Sequence, residues 1–263
     1  MSIHHVDVAV IGGGINGVGI ALDTVGRGLN VSLIEKGDLA SATSSSSSKL
    51  IHGGLRYLEH YEFRLVKEAL GEREVLLNKA PHIMWPLRFR LPHQKHLRPA
   101  WMIRCGLFLY DHLATRVSLP KSKKLKNTKE SPLVSSIKTC FEYSDGWVDD
   151  ARLVVLNAIA AREKGAQIHT RTECIRAEKG DRHWTLILRK ANGEVFTMTC
   201  STIVNATGPW AISFIDRIAD TPNPNSMRMV KGSHIIVPRM YTSNEAYILQ
   251  NEDDRIVFVI PYE

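Results

Sequence analysis

The sequence predicts an α/β fold: a Rossmann-like dinucleotide-binding domain built from two separated segments and interleaved with a β-rich second domain. Three observations predict it. A short apolar run at residues 7–11 leads straight into Gly12-Gly13-Gly14-Ile15-Asn16-Gly17, a G-x-G-x-x-G turn that opens a helical pattern. A second apolar run, 30–34, ends at the acidic Glu35, about twenty residues further on. The strand–helix rhythm then lapses after residue 85 and resumes only at 149.

Each element follows from its residues. Gly12 permits the tight turn off the first strand, Gly14 lets backbone approach a pyrophosphate, and Gly17 lets the helix pack on the sheet. That helix, 16–27, directs free N–H groups and its positive end at the phosphates, and Gly28 stops it. Glu35 is placed to accept hydrogen bonds from a ribose, and its charge disfavours a 2′-phosphate. A helix is expected over 58–79, with Leu65, Val66, Ala69, Val75, Leu76 and Leu77 as its apolar face and Pro81 ending it.

Residues 86–148 are rich in proline, arginine and aromatic side chains and open the second domain. Asp149 or Asp150 caps a helix through Lys164, with Gly165 as its stop. Strands are expected at 167–176, 182–190 and 194–199, the last two joined at Asn192-Gly193 by a type I′ turn. A buried strand at 202–205 leads into the Ala206-Thr207-Gly208 turn, and 227–238 and 246–260 read as strands of another sheet. The predicted segments are 1–85 and 149–219 for the dinucleotide domain, and 86–148 and 220–263 for the other. The last apolar run has no turn or cap after it, so the chain reads as the N-terminal half of a larger protein.

The glycine turn does not by itself separate FAD from NAD. Thr43, Ser44, Ser47 and Ser48 offer hydroxyls beside the pyrophosphate, although a serine run read alone is a flexible linker. Lys49 and the following His52-Gly53-Gly54 suggest backbone lying against a flat ring. With the Ala206-Thr207-Gly208 turn as a third contact, these favour FAD.

The formal charge of +7 is uneven. Arg88, Arg90, Lys95, Arg98, Arg104, Arg116, Lys121, Lys123, Lys124 and Lys126 are opposed in their span only by Asp111. Within that span Trp101, Met102, Ile103, Leu107, Phe108, Leu109 and Tyr110 form an apolar stretch flanked by Arg98, Arg104 and Arg116. This fits an interfacial helix on an anionic membrane surface, and equally a core helix whose arginines cap carbonyls. Nucleic acid is not expected, since no recognition motif accompanies the charge. The four cysteines, Cys105, Cys140, Cys174 and Cys200, are widely spaced without C-x-x-C. No metal site is expected, and buried free thiols are the default. Without a signal peptide or a run long enough to span a bilayer, a reducing cytoplasmic compartment is expected.

Ile11 to Gly14, with Gly17, Val18, Gly19, Ala21, Asp23, Arg27 and Gly28, resembles the N-terminal signature of FAD-dependent glycerol-3-phosphate dehydrogenases. Residues 47–74, including His52-Gly53-Gly54-Leu55-Arg56-Tyr57-Leu58-Glu59-His60, are similar to the bacterial aerobic, respiratory members. So are 88–112, 141–152 and 230–261, with a looser patch at 121–139. The resemblance implies an FAD-binding domain of the glutathione-reductase/D-amino-acid-oxidase type with a substrate domain beside it.

It further implies oxidation of sn-glycerol 3-phosphate to dihydroxyacetone phosphate, with electrons passed through FAD to membrane quinone on the inner face of the cell membrane. Arg56 and Tyr57 would line the substrate pocket, Arg56 binding phosphate unless it pairs with Glu59. His234 would serve as base or polar orienter, unless it is structural; His52 would hydrogen-bond the flavin ring. Family members are about twice as long, so part of the substrate site is expected outside these residues. A homo-oligomer is compatible with the sequence. A glycerol-3-phosphate oxidase, another FAD-dependent amine or hydroxy-compound oxidoreductase, and a non-catalytic FAD-binding fragment share these motifs and stay open.

Overall fold

The structure, a computed structural model, describes residues 4–128, 131–218, 226–253 and 255–262. The chain forms two compact units, 1–48 with 149–232 and 49–148 with 233–263.

The first unit begins with β1 (His4–Ile11), α1 (Ile15–Gly26) and β2 (Val31–Ile34). β1 lies parallel to β2, with Val8 opposite Val31 and Ile11 opposite Ile34. All four residues of β2 are buried, as expected for a parallel strand covered on both faces. α4 (Asp150–Glu163) packs beside α1, where Val18, Ala21 and Val25 meet Val154, Ala158 and Ala161 over Val10, Val31 and Leu33. The small side chains let the two helices seat closely. Asp149 caps α4 by accepting the Arg152 N–H, and Gly165 follows it at φ +102°.

The sheet is completed by β7 (Gln167–His169), β8 (Thr172–Lys179), β9 (Trp184–Lys190) and β10 (Val195–Asn205), in the order β7-β2-β1-β10-β9-β8. β10 runs parallel to β1 and delivers residues 206–208 to the end of the sheet where β1 stops, and α5 (Ala211–Arg217) follows. Ala9, Ile11, Leu186, Leu188, Met198, Cys200 and Phe214 form a second core.

The second unit is built on β4 (Met84–His93) and β6 (Thr139–Val148), paired antiparallel over their full length from Met84 opposite Val148 to His93 opposite Thr139. β3 (Leu50–Ile51) and β5 (Lys123–Lys126) also pair with β6, while β11 (Ala246–Gln250) joins β4 and carries β12 (Ile256–Val259). Pro86 and Pro92 are tolerated in β4 because β11 pairs with it only at Phe89 and Arg90. α2 (Phe63–Lys79) and α3 (Ala100–His112) cover this sheet through Val66, Leu70, Leu107 and Tyr110, packed with Phe89, Phe141, Tyr143 and Trp147.

Several expectations are corrected. The first crossing between units falls after Ser48 rather than near 85, since 49–85 pairs and packs with β4 and β6. The helix expected from residue 58 is a 3₁₀ turn at Leu55–His60 followed by α2, because Tyr61 takes a left-handed φ of +60° between them. α2 buries Val66, Leu70, Arg73, Glu74 and Leu77, while Leu65 and Val75 are exposed. The strand expected at 167–176 is two, split at Arg171 with φ +51°.

The turn at Asn192-Gly193 is not type I′, since only Gly193 has positive φ. Gly193 N–H bonds the Lys190 carbonyl, and Lys190 N–H bonds the Glu194 carbonyl, giving a three-residue loop with a glycine bulge. Residues 227–238 form no strand; Val230, Ile235 and Ile236 are exposed and unpaired with any sheet among the described residues.

Candidate functional site

In the first unit the G-x-G-x-x-G turn, Glu35 and the 206–208 turn converge at the C-terminal ends of β1, β2 and β10. Gly12 has φ +114°, and a Cβ there would stand 2.4 Å from the Ala206 carbonyl oxygen. A Cβ on Gly17 would stand 1.8 Å from the Gly12 oxygen. The Ala206 N–H is in turn tied to the Ile11 carbonyl at 2.8 Å. Two of the three glycines thus let the turn, α1 and Ala206 touch. Gly14 is different, because its missing Cβ would face only the Ser44 side chain, the hydroxyl at 2.9 Å.

The Ile15 N–H donates to Ser44 Oγ at 3.0 Å, and the N–H groups of Asn16 and Gly17 have no partner among the described residues. No acidic residue lies within this first turn of α1. Two free donors and the positive helix end make an anion-binding corner. Glu35 is held ready beside it, its two carboxylate oxygens accepting the Gly13 and Gly37 N–H groups at 2.7 Å each. Thr207 donates its hydroxyl to Asn205 Oδ1 at 2.6 Å, and Gly208 turns the chain at φ +57°. A Cβ-free approach, open amides and a fixed carboxylate suit the pyrophosphate and ribose of a dinucleotide such as FAD.

The serine run has a more divided role than its composition suggests. Thr43–Ser45 form a 3₁₀ turn that brings Ser44 to α1. Ser47 instead donates its hydroxyl to Asp150 Oδ2 at 2.7 Å, which anchors the loop to the start of α4. Ser48 is half-buried where the first unit ends, and Lys49 lies in the second, at φ +56° with its ammonium 6.0 Å from the Tyr262 ring.

The second unit brings His52, Gly53, Gly54, Arg56 and Tyr57 into one turn. Gly54 has φ +68°, its N–H donates to His52 Nδ1 at 3.0 Å, and its carbonyl accepts the Tyr57 N–H at 2.8 Å. Because Nδ1 accepts, a neutral His52 carries its proton on Nε2 and offers it as a donor. Arg56 is exposed and has no ion-pair partner among the described residues; Glu59 pairs with Arg98 at 3.4 Å instead. Tyr57 is half-exposed with its ring against Gly54.

His234 does not share this setting. It is exposed in the irregular segment before β11, without a hydrogen-bond partner among the described residues. The strand that was expected to hold it does not form.

Residues not foreseen support the turn from below. The Gly53 N–H donates to Tyr110 Oη, and Tyr110 and Arg73 both donate to Asp145. Burial, and then the Asp145 carboxylate beside it, hold the Tyr110 phenol well above its ordinary range, so it remains a donor. A charged pair on a buried helical stripe, Arg73 and Glu74 among Val66, Leu70 and Leu77, was the available signal.

α3 presents Trp101, Met102, Cys105, Phe108, Leu109 and His112 outward, one and two turns apart along one stripe. Arg104 and Lys121 are exposed beside it, whereas Arg116, expected as a flank, is turned inward to Asp111 and the Pro120 carbonyl. No helix among the described residues is long and apolar enough to cross a membrane.

Residues 7–263 match the family described as FAD dependent oxidoreductase. Among its relatives, a glycerol-3-phosphate dehydrogenase of Pseudomonas tolaasii is 64% identical over 97% of this chain and 50% of its own length. A D-erythritol 1-phosphate dehydrogenase of Brucella abortus is 54% identical over 98% of this chain and 52% of its own. The chain thus spans about half the length of these relatives. The crystal structure of a glycerol-3-phosphate dehydrogenase from Bacillus halodurans, complexed with FAD, superposes with a TM-score of 0.65 at 22% identity, covering 98% of this chain and 45% of that one. The glycine turn, the fixed Glu35 and the match along nearly the whole sequence agree, and the chain belongs to the FAD-dependent oxidoreductase family.

Proposed function

We propose that this chain holds FAD in its first unit and supplies one wall of the substrate site of a dehydrogenase acting on sn-glycerol 3-phosphate. The observation that carries the cofactor is the anion-binding corner at α1 with Glu35 beside it. The substrate class is supported by the high identity to a glycerol-3-phosphate dehydrogenase and by Arg56, an exposed guanidinium without a carboxylate partner among the described residues.

Bound FAD supplies a two-electron acceptor for the hydride that leaves C2. The protein must then do three things: grip the phosphate, remove the C2 hydroxyl proton and exclude water. Arg56 grips the phosphate and Tyr57 shapes the pocket beside it. His234 is the base that the family resemblance supplies for the hydroxyl proton, and loss of that proton together with the C2 hydride would give dihydroxyacetone phosphate. On the family resemblance, His52 would offer its Nε2 proton to the flavin ring, and Lys49, Gly53 and Gly54 would line it. Thr43, Ser44 and Ser48 complete the pyrophosphate side, while Ser47 acts through Asp150.

Membrane quinone is the proposed electron acceptor. The outward stripe of α3 is its docking face on an anionic bilayer, with Trp101 and Phe108 entering the acyl boundary and Arg104 and Lys121 at the headgroups.

D-erythritol 1-phosphate is a second reading of the substrate, favoured by the Brucella abortus relative. Both are phosphorylated polyols, and both suit Arg56. Anaerobic absorbance spectra of the FAD-loaded protein, taken before and after each compound, test the function. Bleaching by glycerol 3-phosphate at the lower concentration supports the first reading and bleaching by the erythritol ester the second. A bound flavin that neither compound bleaches would refute both.

A further inference from the structure

Beneath residues 52–57, a line of buried polar side chains runs away from the turn. The Gly53 N–H donates to Tyr110 Oη at 2.8 Å, and the Tyr110 hydroxyl donates to Asp145 Oδ1 at 2.6 Å. Arg73 Nη1 donates to the same carboxylate oxygen at 2.6 Å and to the Ser144 carbonyl at 3.1 Å. Tyr110, Arg73 and Asp145 are only 1%, 2% and 2% exposed. They come from α3, α2 and β6, so three elements meet under one backbone amide.

Stability alone is a weak reason for this arrangement. Desolvating a buried ion pair offsets most of its attraction, and apolar groups of similar size often do as well. Arg73 occupies the apolar stripe of α2, where Val66, Leu70 and Leu77 show what the core accepts. An apolar set would nevertheless leave the buried Gly53 N–H without an acceptor.

Gly53 also has no slack. A Cβ there would stand 2.4 Å from Leu70 Cδ2 and 3.0 Å from Tyr110 Cε2, so the backbone lies directly on α2 and α3. From this amide the direction of the whole turn follows. Gly54 N–H holds His52 Nδ1, and the Gly54 carbonyl holds the Tyr57 N–H at the start of the 3₁₀ turn that carries Arg56.

We propose that Tyr110, Asp145 and Arg73 are positioning residues, a buried relay that fixes the Gly53 amide and thereby aims His52, Arg56 and Tyr57 for the reaction. This rests on the proposed role of that turn as the wall facing substrate and flavin.

Two measurements on the FAD-loaded protein test it. Tyr110→Phe keeps the ring and its edge contact with Tyr143 while deleting only the hydroxyl. Residue-resolved hydrogen exchange is expected to show Gly53 N–H as slow as α2 amides in the unaltered protein. In Tyr110→Phe it should exchange at least about tenfold faster, with α1 amides unchanged. In anaerobic bleaching by glycerol 3-phosphate, the limiting rate should fall about tenfold with the half-saturating concentration within about twofold.

Equal Gly53 exchange in the two proteins overturns the relay. So does a Gly53 amide in the unaltered protein that exchanges as fast as exposed loop amides, a criterion that holds even if the variant fails to fold. Faster exchange with an unchanged bleaching rate refutes the positioning role. If glycerol 3-phosphate fails to bleach the unaltered protein while Gly53 still responds to Tyr110→Phe, the relay stands and the functional reading falls.

Discussion

Replacing Gly14 by alanine separates what the fold needs from what the ligand needs. Gly14 has φ −83° and ψ −177°, an extended conformation open to any residue. The new methyl would meet only Ser44, with the hydroxyl at 2.9 Å and Cβ at 3.9 Å. Ser44 can rotate away at the loss of its bond from the Ile15 N–H, about 1 kcal/mol. The lower entropy of the unfolded alanine chain offsets about 0.4–1 kcal/mol of that.

Stability should therefore change by less than about 1 kcal/mol, and Tm by no more than about 2–4 °C. Binding should respond quite differently. With the pyrophosphate seated at this corner as proposed, the methyl would crowd its approach to the amides of the first turn, and one lost charge-assisted hydrogen bond is worth about 1.5–3 kcal/mol. FAD affinity should fall about ten- to hundredfold.

Thermal unfolding of the apoprotein and a titration of FAD by flavin fluorescence measure the two quantities independently. Wild-type affinity at unchanged Tm would place the pyrophosphate elsewhere and refute the assignment of the corner. A fall in Tm beyond about 10 °C would mean that the fold, not the ligand, requires this glycine. Gly17→Ala is the contrasting control. Its Cβ would lie 1.8 Å from the Gly12 oxygen, so the turn itself should break and stability fall by several kcal/mol.

Glu142 should control part of the acid sensitivity. Burial raises its carboxyl, but the hydrogen bond and charge of Arg88, with Lys123, outweigh it and hold the group below its ordinary 4.5. The folded state then binds fewer protons than the unfolded one, so this stability is present above pH 4.5 and lost as pH falls through the folded value. Glu142→Gln should lower the urea midpoint at pH 7 by an amount worth about 1–3 kcal/mol, and the gap to wild type should close on acidification. A gap independent of pH would exclude the ionised carboxylate as its source.

Thiol labelling at pH 8 should modify Cys105 alone among the four cysteines. Cys140 and Cys174 are pushed up to about 12 and Cys200 to about 11, chiefly by burial, and all three are buried. Rapid labelling of a second thiol in the native protein counts against this. Trp101→Ser with Phe108→Ser should weaken binding to anionic vesicles more than tenfold while leaving the Tm near wild type, since both rings are exposed at 66% and 60%. Equal co-sedimentation of variant and wild type would remove α3 from the membrane face.

The glycine turn was legible because its requirements are local. Gly12, Gly14, Gly17 and Glu35 sit at spacings set by one strand, one helix and the next strand, so chain geometry alone puts them together. A cap of α4 at Asp149 or Asp150 was legible for the same reason, and the structure gives it to Asp149. The reading failed where a neighbour in space decided. Leu65 and Val75 are as apolar as Val66 and Leu77, but the buried face of α2 takes in Arg73, whose partner Asp145 is 72 residues away. The hydrogen bond of Ser47 to Asp150, 103 residues on, was likewise not legible.

The apolar residues of 227–238 resembled a strand, but a strand needs a neighbouring edge, and none is offered to them among the described residues. The Asn192-Gly193 pair marked a turn without fixing its type, because two registers of the same hairpin satisfy the same dipeptide. The Lys190–Glu194 hydrogen bond selects one.

By itself, then, the sequence determined the dinucleotide fold, the G-x-G-x-x-G corner and the family, because hydrophobic period, glycine spacing and helix caps act over a few residues. Only the tertiary structure decided that Glu59 is held by Arg98 while Arg56 has no ion-pair partner among the described residues, and that Ser44 accepts the Ile15 N–H while Ser47 donates to Asp150. It also decided that the Gly53 amide rests on Tyr110 and a buried ion pair. These are choices among chemically equivalent partners, and an acceptor is chosen by distance and direction in space, which separation along the chain does not encode.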